Sequence, residues 1–116
     1  MATDVRDVPE RSRYEVTVDG APAGFAQYRE VGGVRVFTHT EVSDAYEGQG
    51  VGSTLARAAL DDVRATGGRL VALCPFIARH IERHPDDADL IDRELDARLR
   101  AGSPPAAPPG GSTTAD

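Results

Sequence analysis

The sequence predicts a mixed α/β (α+β) fold, in which an antiparallel β meander is followed by a β-α-β parallel pair and C-terminal helices. Three observations predict it: early segments alternate apolar and polar residues, a glycine-rich loop precedes a helical apolar period, and a short apolar strand follows that helix. We expect a folded unit over residues 11–100, a flexible N-terminus over 1–10 and a disordered Pro/Gly-rich tail over 101–116.

The meander consists of three predicted strands. Residues 13–19 alternate apolar and polar side chains, and residues 23–31 follow a turn as a second strand. The pair Gly32-Gly33 closes a tight hairpin, because glycine enters positive φ at no steric cost, and leads into a third strand over 34–42. In that third strand we expect the even-numbered side chains on one face and the odd-numbered side chains on the other.

The second half of the chain predicts one crossover helix, one strand and two further helices. Apolar residues four apart predict a helix to about Thr66, and they are Val51, Leu55, Ala59 and Val63. Residues 69–74 predict a strand parallel to the third one, joined to it by a right-handed crossover. Pro75 begins a predicted helix that continues to about His84. A last helical segment is predicted over residues 86–100, in which the side chains that point inward are Leu90, Ile91, Leu95 and Leu99.

Composition excludes several kinds of function. The chain has 13 basic residues, all arginine, and a net charge of −6. Without lysine, Schiff-base chemistry and the lysine-containing phosphate loop are excluded, and the acidic balance argues against nucleic-acid binding. The sequence contains neither a long apolar run nor a secretory signal, and its single Cys74 forms no internal disulfide. We therefore expect a cytoplasmic protein with no membrane partner.

The loop Gly48-Gln49-Gly50-Val51-Gly52 lies where a strand meets a helix N-terminus. The first N–H groups of a helix have no intrahelical acceptor, and glycines allow a phosphate to approach them closely. The loop is thus either a phosphate site or a tight connection that binds nothing. The dinucleotide fingerprint Gly-x-Gly-x-x-Gly is not met, because its third glycine would fall on Ser53 or Leu55.

Glu47-x-x-Gly50-x-Gly52 resembles the Arg/Gln-x-x-Gly-x-Gly/Ala loop that binds acetyl-coenzyme A in GNAT-fold N-acetyltransferases. The segments Leu73-Cys74-Pro75-Phe76, His84-Pro85 and Asp89-Leu90 resemble those of a very small, single-core GNAT-like subfamily, and the resemblance covers about residues 14–92. It implies transfer of an acetyl group from acetyl-coenzyme A to a primary amine of a small molecule or protein, without a metal. We expect a monomer or a weak homodimer.

The resemblance also implies a set of site residues. His39 would deprotonate the amine, and Cys74 would either relay the acetyl group or protonate the coenzyme thiolate. The residues alone favour other interpretations, in which Cys74 is a small core residue and His39 is a half-exposed strand residue. His80 and His84 predict a partly solvated helix end rather than a metal site. The coenzyme-binding residues implied are Val42, Gly48, Gln49, Gly50, Val51, Gly52, Ser53, Cys74, Pro75, Phe76, Arg57 and Arg79.

Two departures from the family pattern leave an alternative open, a non-catalytic module that binds or senses acyl-coenzyme A. Glu47 stands where the family carries Arg or Gln, and its carboxylate would repel a pyrophosphate. No tyrosine follows the glycine loop, whereas most larger relatives protonate the thiolate with a late tyrosine. A third interpretation, an interaction protein without a ligand, leaves the glycine loop without a role.

Overall fold

The computed structural model of the protein describes residues 2–46 and 48–101. Five strands form one sheet in the order β1-β2-β3-β4-β5, with antiparallel neighbours except for the parallel pair β4 and β5. The strands are β1 (Thr3–Val8), β2 (Arg13–Val18), β3 (Ala21–Val31), β4 (Val34–Val42) and β5 (Arg69–Ala72). The helices are α1 (Val51–Ala65), α2 (Pro75–Arg83) and α3 (Arg93–Arg100). This mixed sheet with helices confirms the predicted fold class.

The N-terminal segment differs from the prediction of a flexible end. Thr3–Val8 pairs along its whole length with β2, from Thr3 opposite Val18 to Val8 opposite Arg13. Val5 packs against the core, and the Tyr28 hydroxyl donates a hydrogen bond of 2.5 Å to Asp7. Charged residues occupy three of the six positions of this strand, so the sequence shows no clear apolar alternation and the strand was not predicted. The predicted tail lies outside the described residues from position 102 onward.

The prediction of one helix over 86–100 is wrong. Pro85–Leu90 forms a 3₁₀ turn, and Ile91 makes a single parallel bridge with Leu70 at the outer edge of β5. Asp92 then begins α3 by accepting a hydrogen bond of 3.0 Å from the Leu95 N–H, as an N-cap does. A capping aspartate in mid-segment therefore divides the predicted helix in two.

The two sheet faces are covered unequally. The first face, here called the helix face, packs under α1 and α2, and the predicted α1 stripe is at most 2% exposed. The second face, here called the open face, is covered by α3 only beside β4 and β5, where Leu95 belongs to one hydrophobic cluster with Val36 and Val71. No helix among the described residues is long and apolar enough to cross a membrane.

A β-bulge reverses the faces of β4 halfway along its length. Gln27 pairs with His39 and Tyr28 pairs with Phe37, so Thr38 is an extra residue on β4. Before the bulge the odd-numbered side chains point to the helix face, and after it the even-numbered ones do. The predicted even and odd faces are therefore wrong for residues 39–42, because one inserted residue shifts a period of two.

A polar network secures the sheet to α1 at the end away from the glycine loop. The Tyr14 hydroxyl donates to Asp62 (2.6 Å) and accepts from the Arg35 guanidinium (2.6 Å). Arg35 lies over the Tyr28 ring at 4.2 Å and also pairs with Glu30. Burial and the Asp62 hydrogen bond raise the pKa of Tyr14, so its hydroxyl stays protonated.

Candidate functional site

The parallel strands β4 and β5 separate on the carboxyl side of the bulge. Their pairing ends with Phe37 opposite Ala72, and the N–H groups of Leu73 and Cys74 both donate to the Phe37 carbonyl (3.0 and 3.1 Å). The chain then enters α2 at Pro75, while β4 continues to Val42. A cleft therefore opens between the second half of β4 and the start of α2.

Two adjoining cavities lie along this cleft. The first, here called the cleft cavity, has a volume of about 340 Å³ and is bounded by the end of β4, the glycine loop and the Phe76 ring. The second, here called the arginine cavity, has a volume of about 250 Å³ and adds Arg79, His80 and Arg83. Both contain Gly50, Gly52 and Phe76 in their walls, so the Phe76 ring lies where they meet. The cleft cavity is lined by Thr40, Val42, Ser43, Asp44, Tyr46, Gly48, Gly50, Val51, Gly52 and Phe76.

The glycine loop leaves the N-terminus of α1 open. Gly48 and Gly50 have φ angles of 82° and 77°, a left-handed conformation that favours glycine. Gly50 is the N-cap and supplies no side-chain acceptor, and helical hydrogen bonding begins with Thr54 N–H to Gly50 O (3.0 Å). The N–H groups at 51–53 thus have no acceptor within the helix, and they suit an anion.

Gly52 has a different reason to be glycine. A Cβ atom at this position would lie 2.7 Å from the Cζ atom of Phe76. Carbon atoms in contact are normally at least about 3.5 Å apart, so the ring takes the space that a side chain would need. The helix and the Phe76 ring can approach closely only because position 52 carries no side chain.

Cys74 lies in the core beside Thr40, a residue of the cleft wall. It is the residue before α2, since β5 ends two residues earlier than predicted, and it is 3% exposed. Its Sγ atom is 3.4 Å from the Thr40 hydroxyl oxygen, on the helix face of β4. The structure therefore places Cys74 in the core, and its link to the cleft cavity is Thr40, which lines that cavity.

His39 lies on the open face of the sheet. Its side chain is 53% exposed, its Nε2 atom is 2.7 Å from Glu41 Oε2, and its ring centroid is 5.9 Å from that of Phe25. The structure therefore does not bring the side chains of His39 and Cys74 together on one face, because the bulge turns His39 away. Glu41 was missed by the sequence reasoning, although the spacing His-x-Glu in a strand places both on one face.

The two arginines predicted to bind coenzyme have different environments. Arg57 donates two hydrogen bonds to Asp87 (2.7 and 2.9 Å) and a third to Asp61. The Asp87 side chain is 6% exposed, and the Arg57 hydrogen bonds hold its pKa below the usual range. Arg57 thus forms a structural ion pair between α1 and the 3₁₀ turn, whereas Arg79 lines the arginine cavity beside Arg83.

His80 is buried rather than partly solvated as predicted. It is 7% exposed, and its Nε2 atom has no hydrogen-bond partner among the described residues. Its ring stacks on that of His84 at 4.2 Å, and burial and the nearby His84 lower its pKa. The described residues contain no group of three or more side chains that could hold a metal ion.

Comparison with known proteins gives a consistent result. A family model described as GCN5-related N-acetyl-transferase matches residues 13–90. Protein NATD1 of Mus musculus is 32% identical over 78 residues, which cover 66% of this chain and 71% of that protein. NATD1 of Homo sapiens is 32% identical over 77 residues, or 65% and 68% of the two chains. The solution structure of a GCN5-like protein from Staphylococcus aureus covers 76% of this chain and 86% of its own, with a TM-score of 0.59 and 23% identity, and shows the same fold.

Proposed function

Because the chain belongs to the GCN5-related N-acetyltransferase family, we propose that it transfers an acetyl group from acetyl-coenzyme A to a primary amine. The observation that supports this most directly is the cleft between β4 and β5, which leads to the open N-terminus of α1. One end of this arrangement has Val42 and Phe76 in its wall, and the other offers backbone donors and two arginines.

The residues of the two cavities fit the parts of a coenzyme A molecule. Val42 and Phe76 supply an apolar wall for its uncharged arm, and the N–H groups at 51–53 suit its phosphates. Arg79 and Arg83 add positive charge locally, which a chain of net charge −6 needs in order to hold an anion. Gly48, Gln49 and Pro75 remain part of the proposed site, whereas Arg57 is assigned to the ion pair with Asp87.

Acetyl-coenzyme A supplies the acetyl group as a thioester. In the proposed reaction the amine nitrogen bonds to the carbonyl carbon, the carbon–sulfur bond breaks, and its electron pair leaves with sulfur. His39 takes the proton that the amine nitrogen loses, and Glu41 holds the imidazole through its bond of 2.7 Å. Cys74 donates its thiol proton to the departing thiolate. Water then reprotonates Cys74 and takes the proton from His39, which restores both groups. The burial of Cys74 and its hydroxyl partner Thr40 support proton donation more than an acetyl relay, which requires an exposed thiolate.

The first experiment is a calorimetric titration with coenzyme A, comparing Gly50→Glu with Gly67→Glu. Both glycines flank α1 with positive φ and open space around the position of a Cβ atom, so the two variants carry similar strain. We expect Gly50→Glu to abolish binding and Gly67→Glu to retain it. Equal affinities in the two variants would place the coenzyme elsewhere.

The second experiment measures thiol release from acetyl-coenzyme A with a panel of amines. We expect His39→Gln to lose turnover while it retains coenzyme affinity, and Cys74→Ala to lose less. A stable acetyl adduct on Cys74, seen by mass spectrometry, would instead support the relay.

The alternative is a non-catalytic module that binds acyl-coenzyme A. The observation that favours it is the placement of His39 and Cys74 on opposite faces of the sheet. Coenzyme binding without thiol release for any amine, in a correctly folded protein, would establish the alternative.

A further inference from the structure

We propose that a pocket on the open face is the acceptor site and that it takes a zwitterionic amine, a small molecule with one ammonium and one carboxylate group. This inference rests on the proposed function and specifies its substrate. The pocket has a volume of about 350 Å³ and lies over β2, β3 and the end of β4. That volume is at the lower end of the range of roughly 300–1,000 Å³ typical of small-ligand sites.

The pocket adjoins the cleft cavity across the end of β4. Val42 and Ser43 line both cavities, so a ligand on the open face lies next to one in the cleft. Beside the pocket is the His39 ring, 5.9 Å from that of Phe25. An amine bound in the pocket is therefore close to the base that the proposed function assigns.

The side of the pocket formed at the start of β2 carries an excess of positive charge. Arg11 and Arg13 both hydrogen-bond to one carboxylate, that of Glu15, at 3.2 and 2.8 Å. Arg13 is further fixed by its position 4.6 Å above the centre of the Phe25 ring. Two guanidinium groups share one carboxylate, so a second carboxylate, supplied by the ligand, completes the charge balance.

The opposite side of the pocket carries an excess of negative charge. Glu41 is 63% exposed, and its hydrogen-bond partner among the described residues is His39. A neutral imidazole carries no positive charge, so it leaves the negative charge of Glu41 unbalanced. In the register of the sheet, Glu15 on β2 and Glu41 on β4 both lie opposite Phe25 on β3, so they are two strands apart. Two strand spacings are about 10 Å. This separation suits an ammonium at Glu41 and a carboxylate at Arg11.

The test uses three amines of equal chain length: 4-aminobutyrate, butylamine and 1,4-diaminobutane. They differ only in whether the far end is an anion, an apolar group or a cation. We expect kcat/KM to be highest for 4-aminobutyrate, by about tenfold over butylamine, which corresponds to one charge-assisted hydrogen bond. We expect Arg11→Gln to lower kcat/KM for 4-aminobutyrate to about that for butylamine. Arg29→Gln, which removes an exposed charge elsewhere on β3, is the matched control.

Charge reversal sharpens the test, because Arg11→Glu should transfer the preference to 1,4-diaminobutane. Equal use of the three amines by the unaltered protein, or an equal loss for all of them in Arg11→Gln, would overturn the inference. Neither result would affect coenzyme binding or thiol release, so the proposed function would survive it. Titration of the protein with 4-aminobutyrate, followed by the NMR signals of Phe25 and His39, tests the pocket without turnover. Unchanged signals at millimolar ligand would also overturn it.

Discussion

Replacing Gly52 with alanine tests whether the Phe76 ring fixes the shape of the cleft. The new methyl group would lie 2.7 Å from Phe76 Cζ, and the ring must move by roughly 0.7 Å to reach an ordinary contact of 3.4 Å. Phe76 is partly buried and lines both the cleft cavity and the arginine cavity. Its displacement therefore changes the volume that a coenzyme would occupy.

Two effects of opposite sign act on the stability of this variant. Alanine is favoured over glycine in a helix by roughly 0.5–1 kcal/mol, while overpacking a filled space costs roughly 1–3 kcal/mol. The overpacking is the larger effect, so we expect Gly52→Ala to lose about 1 kcal/mol of unfolding free energy. In a Phe76→Leu background the ring is absent. The same substitution should then stabilise the protein by up to about 1 kcal/mol.

The assay is urea denaturation of the four proteins of this cycle, followed by circular dichroism. The expected coupling between the two positions is about 2 kcal/mol, well above the error of such measurements. Coenzyme affinity is the second readout, with an expected loss of about tenfold, or ~1.4 kcal/mol, in Gly52→Ala. If Gly52→Ala changes stability by the same amount in both backgrounds, the ring is not the reason for the glycine.

Three further predictions concern stability. Asp87→Asn should lose about 2 kcal/mol of unfolding free energy at neutral pH, because the buried ion pair with Arg57 is broken. The pKa of Asp87 is lowered on folding, so the difference in unfolding free energy from the unaltered protein should vanish as the pH falls below about 4, as measured by urea titrations. The unaltered protein should lose stability below about pH 6.5, because the pKa of the buried His80 imidazole is lowered on folding and the unfolded chain takes up the proton more readily. His80→Leu should not show this loss, and an unchanged pH profile of stability in this variant would contradict the reasoning. Tyr14→Phe removes the hydrogen bond to Asp62 and should cost about 1 kcal/mol of unfolding free energy, which lowers Tm by about 4–8 °C in calorimetry. An unaltered Tm would show that water fully replaces this hydrogen bond.

Local patterns were predicted well where neighbours in sequence decide the structure. The α1 stripe is buried as predicted, the Gly32-Gly33 pair turns β3 into β4, and Pro75 is the first residue of α2. The glycine loop does precede α1, and its residues border one cavity with Val42 and Phe76. Each of these depends on a helical period, a turn or a chain start that a short window of sequence contains.

The parts that the sequence missed depend on partners far along the chain. Thr38 becomes a bulge residue through its pairing with β3, and this decides that His39 faces Phe25 rather than Cys74. Arg57 has Asp87 as its partner, 30 residues later, and the two side chains form an ion pair between α1 and the 3₁₀ turn. No local pattern contains either contact.

The sequence by itself determined the family resemblance, the order of strands and helices from β2 to α2, and the position of the glycine loop at the start of α1. These follow from residue type and spacing, because glycine conformations, capping and apolar periods are local properties of the chain. The tertiary structure alone decided which face each side chain of β4 presents, which carboxylates Arg57 and Arg64 pair with, and that an uncovered pocket lies behind the cleft. These depend on strand register and long-range ion pairs, since an inserted residue or a distant carboxylate redirects a side chain without altering the pattern around it.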